Sequence, residues 1–69
     1  MFTVTSEFAA PYIPEADEHF VVVIKNKAGR KWVSNHAHGC PGNAGESAMA
    51  TEEFINDGGR LNKKDWTEV

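Results

Sequence analysis

One cysteine in 69 residues is the first informative shortage in this chain. With only Cys40, no internal disulfide can form, so a small core must hold without covalent support. No CxxC pair is present, and neither a GxGxxG nor a P-loop pattern occurs, which removes the common zinc, dinucleotide and phosphate-loop readings. Long apolar runs are also missing. The longest, Phe20 to Ile24, is five residues, against about 20 for a helix that crosses a bilayer. Met1 is followed by no basic leader and no apolar stretch, so the expectation is a cytoplasmic protein without a signal peptide or a membrane partner. Excess positive charge is absent as well. Seven Lys and Arg against ten Asp and Glu leave a net charge of −3, which argues against a general polyanion binder.

What is present belongs to an ordinary folded chain. Hydrophobic residues make up 41% and charged residues 25%, values that oppose wholesale disorder. At this length residues 1–69 form one domain with a thin core.

The organising stretch is Phe20 to Asn35. An apolar run, Phe20-Val21-Val22-Val23-Ile24, meets a turn signal at Lys27-Ala28-Gly29, then a second β-rich run, Lys31-Trp32-Val33-Ser34. Branched and aromatic residues suit a pleated, half-buried surface, and Gly29 can supply the positive φ of a three-residue hairpin loop. That loop sets Asn26 opposite Arg30, Lys25 opposite Lys31, Ile24 opposite Trp32 and Val23 opposite Val33. A hairpin is therefore expected within residues 19–35.

The hairpin poses a covering problem. Phe20, Val22, Ile24 and Trp32 point to one face, and Val21, Val23 and Val33 to the other. Both faces are apolar, so two covers are needed and one helix supplies only one. The second cover is either the segment carrying Phe8, Tyr12 and Ile13 or another protein chain, most simply an identical one in a homodimer.

Around the hairpin, Phe2-Thr3-Val4-Thr5 alternates and reads as a strand that could add as an edge. The remainder of residues 1–18 reads as an ordered extended loop, because Pro11 and Pro14 remove backbone donors and restrict their neighbours. Residues 36–43 read as a Gly-rich loop. Asn43 with Glu46 suggests an N-cap and capping box, and Gly58-Gly59 a stop, which places a helix over 44–57. Its inward face would carry Ala44, Ala48, Thr51, Phe54 and Ile55. In the C-terminal segment 60–69, a last strand is expected over about 65–69. The sum is an α+β fold: a small, mainly antiparallel sheet of three to four strands, one helix on one face, in the order β-β-β-α-β.

Few residues suggest chemistry. His36, His38 and Cys40 include metal-ligand types, but a closed site needs a fourth ligand and their spacing matches no zinc motif. Cys40 before a helix N-terminus with His38 nearby has the makings of a nucleophile, yet so short a chain leaves little volume for a cleft once its core is filled. No enzyme activity, metal or cofactor is expected. Lys25, Lys27, Arg30 and Lys31 cluster at the hairpin tip, where a solvated turn explains them as well as phosphate contact does. Thr67-Glu68-Val69 is similar to PDZ-domain ligands, though a strand there would commit it to the sheet.

The expected function is a non-enzymatic protein-binding module, by analogy of size, charge and layout an inhibitor of a host protein or enzyme like those encoded by phages. Candidate binding residues are Val21, Val23 and Val33 on the second sheet face, Lys27 and Arg30 at the tip, Glu52 and Glu53 on the helix, and Trp66. The alternatives are a small nucleic-acid-associated protein using the hairpin tip and a metal-stabilised domain using the histidine loop.

Overall fold

A computed structural model describes residues 1–69. Strand β1 (Phe2–Phe8) pairs with β2 (Phe20–Asn26), β2 with β3 (Lys31–Ser34), and β3 with β4 (Trp66–Glu68). The four strands form one antiparallel sheet in the order β1-β2-β3-β4, and α1 (Pro41–Asn56) joins β3 to β4. No helix is long and apolar enough to cross a membrane.

The hairpin has the register that its side chains require. Val23 faces Val33, Ile24 faces Trp32 and Lys25 faces Lys31. The Asn26 N–H donates to the Arg30 carbonyl at 3.1 Å, and Gly29 takes a φ of 86°, a region costly for residues with a Cβ.

β1 is longer than the alternation of residues 2–5 suggests. Ser6, Glu7 and Phe8 continue it because β2 offers a partner at every position as far as Phe8 opposite Phe20. The rest of the segment is wound rather than extended. Tyr12 and Ile13 N–H groups both donate to the Ala9 carbonyl, a 3₁₀ turn follows over Pro14–Ala16, and the Ala9 N–H closes the loop on the His19 carbonyl at 2.9 Å.

The β2–β3 ladder stops at Val23 opposite Val33, and a backbone bridge resumes it between Phe20 and His38. The intervening chain bulges outward. Ser34, buried, fills the gap: its hydroxyl accepts the Val22 N–H at 3.0 Å and donates to the His36 carbonyl at 3.1 Å.

The helix begins at Pro41, three residues before the expected start at Ala44. Pro41 lacks the N–H that a first-turn residue leaves unpaired anyway, and its ring pre-sets a helical φ. Cys40 is the extended N-cap, with no side-chain hydrogen bond, so the Asn43–Glu46 capping box is not used. At the other end, Gly58 (φ 95°) donates to the Ile55 carbonyl and Gly59 to the Phe54 carbonyl at 2.9 Å. Those two bonds are a Schellman stop.

Two apolar clusters sit on opposite sides of the sheet. Val4, Val22, Ile24, Ala48 and Ile55 form one beneath the helix, flanked by Phe2, Trp32, Leu61 and Trp66. Ala9, Val21, Val23 and Val33 form the other, covered by Tyr12, Ile13 and Ala16. The second sheet face is thus closed by the chain's own segment, here called the lid.

Candidate functional site

α1 packs most heavily on β1 and then on β2. A helix is about 10 Å across and strands are spaced roughly 4.8 Å apart, so one helix shields about two strands. Its polar side chains tie it to the outer edge of β1. Glu52 accepts the Val4 N–H at 3.0 Å, while the Asn56 side-chain amide accepts the Phe2 N–H at 2.8 Å and donates to the Phe2 carbonyl at 3.0 Å. Those bonds hold the helix to that side and leave the same face of β3 and β4 to Leu61 and its loop.

An open groove of about 500 Å³ lies there. Trp32, Leu61 and Trp66 line it, with Arg30, Lys63 and Glu68 at its polar margin. Register explains the company. Trp32 and Glu68 are cross-strand partners, as are Ser34 and Trp66, so the four side chains share the helix-side face. Both tryptophans and Leu61 are half-buried. The Arg30 guanidinium lies 5.0 Å from the Trp32 ring centre and grips Glu68 with two hydrogen bonds of 2.8 Å. Those bonds hold the Glu68 carboxyl below its ordinary pKa and raise that of Arg30. Phe2 also packs against Trp32, its ring centre 6.0 Å from that of the indole. The groove has more room than the length of the chain suggests. It contains no histidine or cysteine, and its one carboxylate is paired with Arg30.

The other sequence-derived candidates are dispersed. Val21, Val23 and Val33 are 0%, 0% and 3% exposed, so the lid removes them from any contact surface. Glu52 is half-buried and turned to β1, whereas Glu53 is exposed. Lys27 and Arg30 are exposed at the hairpin tip, but Arg30 belongs to the groove through Glu68, and Lys25 is paired with Glu7 at 3.6 Å. The histidine loop does not converge. His36 lies 3.4 Å from Asp65, His38 serves the sheet through its backbone, and exposed Cys40 caps the helix. No three His, Cys, Asp or Glu side chains come together in a metal-holding group. Thr67 and Glu68 are in β4, and the Val69 N–H donates to the Lys31 carbonyl at 2.9 Å, so the PDZ-like tail is built into the sheet.

Leu61 and Lys63 were not among the candidates. Neither has a periodic or motif context, and only the turn that folds them beside Trp66 gives them one. Phe54 is the opposite case: it is expected inside and is 56% exposed, because its ring folds against Gly59, where a Cβ would overlap it. No protein-family model, curated protein or solved structure matches this chain.

Proposed function

We propose that the chain is a non-enzymatic protein-binding module, an inhibitor type being one form of it, and that its contact surface is the groove of Trp32, Leu61 and Trp66. The supporting observation is the pair of half-buried tryptophans lining a groove that the helix leaves uncovered. Tryptophan and arginine dominate the binding energy of protein interfaces, usually near the centre of a patch ringed by polar groups. The open margin with Arg30, Lys63 and Glu68 fits that anatomy. A nucleic-acid role at the hairpin tip has less support, because Lys25 and Arg30 already have carboxylate partners.

The test is affinity capture from lysate with three baits: the natural chain, Trp66→Ala, and Met49→Ser on the exposed helix surface. A protein retained by the first and third baits but lost with Trp66→Ala supports the reading, provided the variant still melts cooperatively. Retention by all three baits alike, or of nothing by any, would overturn the groove as a protein-contact site.

A further inference from the structure

The geometry points to an extended acidic peptide segment of a partner protein as the occupant of this groove, added as a fifth strand beside β4. This inference rests on the protein-binding reading above and names the chemistry of the partner.

Backbone directions supply the first argument. The Asn35 N–H donates to the Asp65 carbonyl at 2.7 Å and the Val69 N–H to the Lys31 carbonyl at 2.9 Å. Hydrogen-bonded pairs alternate along an antiparallel ladder, so residues 65, 67 and 69 turn their backbone groups toward β3. Trp66 and Glu68 therefore turn theirs outward, on the side where the sheet has no further strand. The Trp66 N–H is used by the Asn62 carbonyl at 3.1 Å. The Trp66 carbonyl and both backbone groups of Glu68 face the open edge, ready for strand addition. On the opposite edge Asn56 and Glu52 occupy the outward groups of Phe2 and the Val4 N–H, and the groups left open there, at Ser6 and Phe8, flank the acidic Glu7 rather than a basic turn.

Charge supplies the second. Three of the seven Lys and Arg residues, Arg60, Lys63 and Lys64, fall within residues 60–64 in a chain whose net charge is −3. The ion pairs of the molecule are Lys25–Glu7, Arg30–Glu68 and His36–Asp65, so these three cations have no carboxylate partner. The turn that carries Lys63 and Lys64 is well tied. The Asn62 side chain accepts the Lys64 N–H at 2.9 Å, the Asn62 carbonyl accepts the Asp65 N–H at 3.0 Å, and the Asn35 side chain donates to the Lys64 carbonyl at 3.0 Å. A basic turn held beside an open strand edge complements a segment with carboxylates flanking an apolar residue. The apolar side chain would lie against Trp66 and Leu61.

A single-stranded nucleic acid would need free aromatic faces. Here Trp32 is already engaged by Arg30 and Phe2, so stacking on it is blocked, which favours the peptide.

The test uses the full chain and a fluorescein-labelled synthetic peptide about ten residues long, alternating glutamate with valine. Its controls are the same peptide with lysine for glutamate, one N-methylated at alternate amides, and an oligothymidylate of similar length. Fluorescence anisotropy should show saturable binding of the glutamate peptide alone, weakening as salt rises. Charge reversal by Lys63→Glu with Lys64→Glu should weaken it by about tenfold or more. Because those lysines are exposed, the variant should keep its melting curve. The inference falls if the glutamate peptide does not saturate, if the lysine or N-methylated peptide binds equally, if charge reversal changes nothing, or if the oligothymidylate binds more tightly. A failed peptide with a captured protein still lost in Trp66→Ala defeats only the acidic-strand inference. Capture indifferent to Trp66→Ala defeats the groove as the contact surface, and the acidic-strand inference with it.

Discussion

The two faces of the sheet are covered by different means, and the less regular cover closes better. Over Val21, Val23 and Val33 lies an irregular segment of about ten residues that seals all three valines. Over the other face lies a helix of 16 residues, yet an open groove remains and Phe8 and Phe54 are 68% and 56% exposed. Shape accounts for the difference. The lid conforms to its face, with the Tyr12 hydroxyl donating to Glu7 at 3.0 Å on β1 and its ring 5.0 Å from the Lys31 ammonium on β3. A helix is a straight rod about two strands wide, so on a sheet of four it must leave some strands uncovered. The face under the lid is sealed, and the face under the helix keeps a groove open to solvent.

Removing the lid should produce the largest effect. Ala9 and His19 are already hydrogen-bonded, so a short Gly-Ser link can replace residues 10–18 without breaking β1 from β2. Exposing three valines forfeits about 1.5 kcal/mol or more for each, against a total stability of order 5–15 kcal/mol. Loss of the cooperative melting transition, or aggregation seen by light scattering, is expected. A lid-less chain that stays a folded monomer would break the contrast between the faces.

On the helix face, two neighbouring residues should separate sharply in chemical denaturation. Ile55→Ala removes a buried anchor and is expected to cost about 2–4 kcal/mol. Phe54→Ala removes a ring that is mostly in water and should cost under about 1 kcal/mol. Equal costs would mean that the helix is rotated from the position described.

The smallest effect concerns pH. Burial alone would raise the Glu7 pKa, but hydrogen bonds from Tyr12 and Thr5, with the charges of Lys25 and Lys31, outweigh it and leave the carboxyl below its ordinary range. The folded state therefore favours the charged form. Its contribution is complete above the carboxylate pKa of the unfolded chain and is lost as pH falls through the lower folded value. Glu7→Gln should lower the melting temperature slightly near neutrality, with the difference shrinking across that acidic window. A gap that stays constant through the window would show that Glu7 does not secure the lid electrostatically.

Some of this architecture was legible in the residues. The hairpin register follows from strict side-chain alternation around a glycine with positive φ, both local properties. The succession of elements, the helix stop at Gly58-Gly59 and the need for two covers follow from similarly local patterns. The helix start was not legible, because Pro41-Gly42 has the composition of a loop and only the finished helix shows Pro41 in its first turn. Ser34 gave no sign of standing in for a backbone acceptor, since its role exists only where the ladder is interrupted.

For the candidate site the division is sharper. The sequence by itself determined that Trp32 points to the same face as Ile24 and that the chain has two apolar sheet faces, because strand alternation is a property of the backbone. Only the tertiary structure decided that the lid, and not a second chain, closes over the valines. Only it placed Leu61 and Lys63 beside Trp66 and paired Arg30 with Glu68. Arg30 and Glu68 are 38 residues apart along the chain, and the turn that brings Leu61 and Lys63 to Trp66 is placed by where the helix docks. With Glu52 and Asn56 fastened to β1, the helix lies to one side of the sheet, and the groove is the space that its width cannot reach.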